Sequence, residues 1–94
     1  MRRAALAALA LLLAACGAPS VPPGPPVPAP GEDTCGASPY TGLVGRDGTA
    51  LERVLIMRQV RVIRPGDAIS EDLRPARINF VIGGDGSIAR IYCG

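Results

Sequence analysis

The sequence contains no histidine, no lysine and no tryptophan, and only one phenylalanine and two tyrosines among its 94 residues. Without histidine, neither a Ser-His-Asp nor a Cys-His arrangement can be assembled within the chain. A His-ligated metal site is excluded on the same ground. Three aromatic rings are too few for a platform on which bases stack. Gly83-Gly84-Asp85-Gly86 is glycine-rich, yet it lacks the helix and lysine that follow in a phosphate-binding loop; a hairpin turn is the simpler reading. Glu71 and Asp72 are adjacent, and neighbours on an extended segment point to opposite sides. They do not make a paired-carboxylate acid/base site by themselves. The chain therefore reads as a non-enzyme that uses no cofactor and no metal.

Long hydrophobic runs are also missing, apart from one at the start. Ala4 to Ala15 is unbroken and apolar, and follows the basic group Met1-Arg2-Arg3. Such a run, about 12 residues long, is too short to cross a bilayer of ~30 Å as a helix. It has the form of a signal peptide, residues 1–15. Leu13-Ala14-Ala15-Cys16 resembles the bacterial lipobox, in which the Cys16 thiol is alkylated by lipid and becomes the new N-terminus. Two or three acyl chains hold a protein at a membrane far more firmly than one. The expectation is an exported lipoprotein anchored at the envelope. Gly17, rather than Asp, after Cys16 suggests an outer-membrane or periplasm-facing location. Two of the ten arginines leave with the signal, so eight remain against eight acids. With no net charge, the exported chain has no basic field for nucleic acid.

Two cysteines remain, Cys35 and Cys93. In an oxidising compartment they can pair. A metal pair or a redox pair competes with that reading, but two ligands do not make a zinc site and no C-x-x-C spacing exists. The pair brackets the whole segment 35–94. A domain of ~60 residues is only marginally stable from its core alone.

Seven of the ten prolines fall between Gly17 and Pro30. This stretch cannot build a core and favours extended polyproline II, so residues 16–34 read as a lipidated cysteine plus tether. Asp47 is placed to cap a helix. Ala50, Leu51, Val54, Leu55 and Met57 follow at near-helical spacing and predict a helix over 48–57. Alternation predicts strands over 59–64, 77–82 and 87–92, the last with Ala89, Ile91 and Cys93 on one face. The fold class is α+β, a single helix packed on a small sheet, in one domain with no repeat.

Between the first two strands lies Gly66-Asp67-Ala68-Ile69-Ser70-Glu71-Asp72-Leu73-Arg74-Pro75-Ala76-Arg77. A loop this long in a small domain is usually functional or disordered, and Pro65 and Pro75 restrict its backbone. Leu43-Val44-Gly45, Val62-Ile63-Arg64-Pro65-Gly66, Arg74-Pro75-x-Arg77 and Ile91-Tyr92-Cys93-Gly94, in that order, resemble the potato inhibitor I-like serine protease inhibitors. The branch is the fungal-elastase-inhibitor-like one, peptidase inhibitor family seventy-eight, and the resemblance covers Cys35 to Gly94.

The resemblance implies a mixed sheet with two central parallel strands and a protease-binding loop between them. It implies a monomer whose loop is offered to a serine protease as a substrate that is cut very slowly. Ile69 to Leu73 would be the reactive loop, with Ser70 at P2, Glu71 at P1 and Asp72 at P1′, so that the scissile bond is Glu71-Asp72. Arg77, and Arg74 within reach, would support the loop from beneath. A second supporting arginine of the plant inhibitors aligns with Asn79. An acidic P1 departs from the apolar residues of better-known members, since a buried, unpaired carboxylate is costly. It directs attention to a glutamate-preferring or a forgiving subtilisin-like enzyme, or to a non-inhibitory envelope protein-interaction lipoprotein on the same scaffold.

Overall fold

Three β-branched or apolar runs supply the sheet. Val60–Ile63 forms β1, Ile78–Ile82 forms β2 and Ile88–Cys93 forms β3 in the computed structural model, which describes residues 24–94. Residues 1–15, where a signal peptide is expected, and Cys16 lie outside the described residues. The strand order is β1-β2-β3. β1 runs parallel to β2, with Arg61 opposite Asn79 and Ile63 opposite Val81, and β2 runs antiparallel to β3. A parallel pair cannot be closed by a tight turn. The connection from 64 to 77 is therefore long by necessity.

The helix expected over 48–57 is absent. Among the described residues there is no α-helix, only short 3-10 helices at Pro30–Glu32, Ser38–Leu43 and Gly48–Arg53. Asp47 does cap the last of these, accepting from the Thr49 N–H at 2.9 Å and the Thr49 hydroxyl at 2.8 Å. Beyond Arg53 the apolar residues change period. Val54 and Ile56 are half-buried, while Leu55 and Met57 stand 83% and 85% exposed. Alternation of period two is an extended chain, and β-branched Val54 and Ile56 favour it over a helix. The α+β class stands in this reduced form: short helices on a three-stranded mixed sheet.

The hairpin turns at Gly83–Gly86, where Gly86 takes φ +85°, a conformation costly for other residues. A bulge follows, since Ile82 pairs with Ile88 but Val81 pairs with Arg90. Ala89 is the extra residue. Of the face expected for Ala89, Ile91 and Cys93, Ile91 and Cys93 do pack on the core, but Ala89 is displaced: Ile88 and Ile91, three apart, are the fully buried pair. A single inserted residue swaps the faces of everything beyond it.

The core gathers Cys35, Ala37, Ile78, Phe80, Ile82, Ile88 and Ile91, with Tyr40, Leu43, Leu51 and Val62 at its margin. Cys35 and Cys93 are joined by a disulfide with their Cα atoms 5.4 Å apart. The Asp33 carboxylate accepts from the Ala37 and Ser38 N–H groups at 2.6 and 3.0 Å, which folds the chain around Cys35. The end of the proline-rich stretch touches the outer edge of β3: the Ile91 N–H donates to the Pro26 carbonyl at 2.8 Å, and Arg90 Nε to the Pro25 carbonyl at 2.9 Å.

Candidate functional site

The long connection leaves β1 through a turn at Pro65-Gly66. Asp67 N–H donates to the Arg64 carbonyl at 3.0 Å, and Gly66 supplies φ +84°. Proline then glycine at the two central positions is the type II arrangement. Every residue from 64 to 76 is exposed and none is in a helix or strand. The segment stands clear of the sheet, with Ile69 42% and Leu73 78% exposed.

Asp72 is the point on which the surrounding polar groups converge. Its carboxylate Oδ2 accepts from Arg74 Nε at 2.9 Å and Arg77 Nη1 at 3.3 Å, and its carbonyl accepts from Arg77 Nη2 at 2.9 Å. The Ser70 hydroxyl donates to Oδ1 of the same carboxylate. No hydrogen bond or ion pair holds the neighbouring Glu71 side chain among the described residues. One carboxylate of the adjacent pair is thus tied down and the other is free.

The two arginines expected beneath the loop both reach it, but they differ. Arg77 is buried, and its Nε donates to the Gly94 main-chain oxygen at 2.8 Å while its other nitrogens hold Asp72. A guanidinium fixed at three points has lost little more by gripping the loop, because its fork is already oriented. Arg74 is half-exposed. Pairs of that kind contribute ~0–1 kcal/mol at best. Asn79, in the position of the second arginine, is fully buried and donates to the carbonyls of Tyr92 and Gly94 at 3.2 and 2.9 Å. At the far end of the loop the Thr34 hydroxyl donates to the Pro75 carbonyl at 2.7 Å.

A further arginine comes from a place the sequence reading passed over. Arg61, on β1, donates to Ser70 Oγ at 3.0 Å. Its signal was the alternation of β1, which turns Arg61 to the same side as Ile63. What was missing was the parallel register that sets it beside Asn79.

The Ser70 hydroxyl and then the Arg74 guanidinium hold the Asp72 carboxyl well below the usual carboxylate range, with Arg77 adding to them against some desolvation. A carboxyl whose folded value is lowered stabilises the fold fully above its unfolded value of ~3.9, and that contribution fades as the pH falls below it. The difference in melting temperature between the natural chain and Asp72→Asn should therefore be constant from about pH 8 to about pH 5 and shrink below about pH 4. A difference that is flat down to pH 2 would mean the Asp72 contacts do not persist in solution.

The family model described as the peptidase inhibitor I78 family matches residues 35–94. No curated protein and no solved structure matches the chain.

Proposed function

Because the chain belongs to the peptidase inhibitor I78 family, we propose that it inhibits a serine protease, offering Ile69 to Leu73 as a substrate that is cut very slowly. Glu71 enters the protease's primary pocket, and Glu71-Asp72 is the bond presented to its serine. The observation that carries this reading is the asymmetry of the two carboxylates. Asp72 is held through both its side chain and its carbonyl, whereas Glu71 is exposed and unbound. A loop gripped on the leaving side and open at P1 is ready to enter a protease cleft. It is ordered before binding, so association costs little further entropy. Its backbone is then available to pair with the protease's edge strand. Ile69 and Leu73 add exposed apolar surface on either side.

The free carboxylate of Glu71 favours a glutamate-preferring enzyme, whose pocket supplies a partner for it. In an apolar pocket it would be buried unpaired, at a cost of roughly 2 kcal/mol or more. The same acidic residue is what favours the second reading, a non-inhibitory interaction protein of the envelope. In either case the domain is tethered as a monomer to a membrane through lipid on Cys16, on the periplasmic or outer side.

Titration of the chain against a glutamate-specific endopeptidase, subtilisin, chymotrypsin and elastase tests the proposal. Tight inhibition of the first is expected. Glu71→Leu should move the preference toward subtilisin and chymotrypsin by about a hundredfold, the equivalent of ~2.7 kcal/mol. Rapid cutting at Glu71-Asp72, or no inhibition of any enzyme, would leave the interaction reading in its place.

A further inference from the structure

Arg61 lies on β1, and Asn79 is its partner on β2. The Asn79 amide is fully buried, and both of its N–H bonds are spent on the Tyr92 and Gly94 carbonyls. Its oxygen is thereby turned toward β1, where Arg61 Nε donates to it at 2.7 Å. The same guanidinium donates through Nη1 to Ser70 Oγ at 3.0 Å. A hydroxyl has one hydrogen. With Arg61 donating to the Ser70 oxygen, that hydrogen is directed to Asp72 Oδ1.

We propose that Arg61 is a positioning residue for the loop: aimed by the Asn79 amide, it holds Ser70, and through Ser70 it holds Asp72. The loop is then gripped from two sides, by Arg61 of β1 on the Ser70 side of Glu71 and by Arg77, the residue before β2, on the Asp72 side. Asn79 does not leave a gap where an arginine is expected. It relays the position to the next strand, because its short buried amide orients a guanidinium that the parallel register has already placed alongside. A solvated surface arginine would be free to change rotamer, whereas this one is fixed at two nitrogens by a buried acceptor and a loop hydroxyl. The proposal rests on the reading of Ile69 to Leu73 as the protease-binding segment, but the contacts it names belong to the unbound protein.

Backbone ¹⁵N relaxation on the full chain reads the effect without any protease. In the natural protein the amides of Ser70, Glu71 and Asp72 should show order parameters near those of β2, about 0.85. Arg61→Met should lower them below about 0.6 while β2 and β3 keep theirs. Ser70→Ala, on the exposed loop and no threat to folding, should loosen Asp72 to the same degree. The double variant should be no worse than either single one, since both remove one connected path. Cleavage of Glu71-Asp72 by a glutamate-specific endopeptidase should rise roughly tenfold in each, as expected for losing a hydrogen bond to a charged group. Unchanged order parameters in Arg61→Met, or additive effects in the double variant, would overturn the proposal. A loop that loosens as described in a protein that inhibits nothing would keep the role of Arg61 and remove the inhibitor reading alone.

Discussion

On the proposed inhibitor reading, Arg77→Met should convert a slowly cut loop into an ordinary substrate. The side chain is buried and its guanidinium satisfies the Gly94 oxygen, the Asp72 carboxylate and the Asp72 carbonyl together. Methionine fills much of the same volume but donates to none of them. The Gly94 oxygen keeps one donor, Asn79, whereas the Asp72 carbonyl loses the guanidinium that fixes the peptide following the scissile bond. Losing charge-assisted hydrogen bonds from a buried guanidinium to a half-exposed loop is worth about 1.5–3 kcal/mol. Cleavage of Glu71-Asp72 should accelerate by about a hundredfold, following the conversion of ~1.4 kcal/mol per factor of ten. Arg74→Ala makes the contrast, since it removes only a half-exposed partner of the same carboxylate and should change the rate less than about fivefold. Equal effects of the two substitutions, read by mass spectrometry of timed digests, would refute the hierarchy described above.

The second large effect concerns the disulfide. Cys35 and Cys93 are 58 residues apart and close almost the whole folded segment into one loop. In the chain-entropy model a closure of that size stabilises by roughly 4 kcal/mol. A domain of ~60 residues has little in reserve beyond that. Cys93→Ser, or reduction of the natural chain, should lower the unfolding free energy by about 2–5 kcal/mol in urea titrations. The effect extends to the loop, because Cys93 directly precedes Gly94, whose main-chain oxygen anchors both Arg77 and Asn79. A reduced protein with an unshifted urea midpoint would mean that the core, not the cross-link, holds the two ends together.

Much of this architecture was legible from local chemistry. Alternating β-branched residues marked β1, β2 and β3 to within a residue or two. Pro65-Gly66 and Gly83-Gly86 marked the turns, and the bracketing cysteines marked the bridge. What escaped was set by tertiary context. Leu55 and Met57 look like the apolar stripe of a helix, yet they are exposed, while Leu51 and Ile56 pack against the core. The bulge at Ala89 left no composition signal and set Ile88, not Ala89, in the core before Ile91. At the loop, Arg77 was readable only through the family resemblance, which places a supporting arginine at that position. Arg61 was not, because it meets Ser70 only after two strands distant in sequence pair in parallel. Contacts of that kind depend on register, which no local pattern supplies.

The placement of the disulfide around the loop has one more consequence. The Glu71-Asp72 bond divides the folded segment so that Cys35 and β1 lie on one side and Cys93, β2 and β3 on the other. Cutting that bond releases no fragment. The two pieces remain one covalent molecule, and the β1–β2 pairing and the arginine contacts on either side of the bond would hold the new carboxylate and amine near each other. Rejoining them is then a unimolecular reaction, and well-oriented groups react as though at effective molarities of up to about 10⁵–10⁸ M. On the proposed inhibitor reading, the nicked and intact forms differ by one water, and a target protease would interconvert them without either half being lost by diffusion.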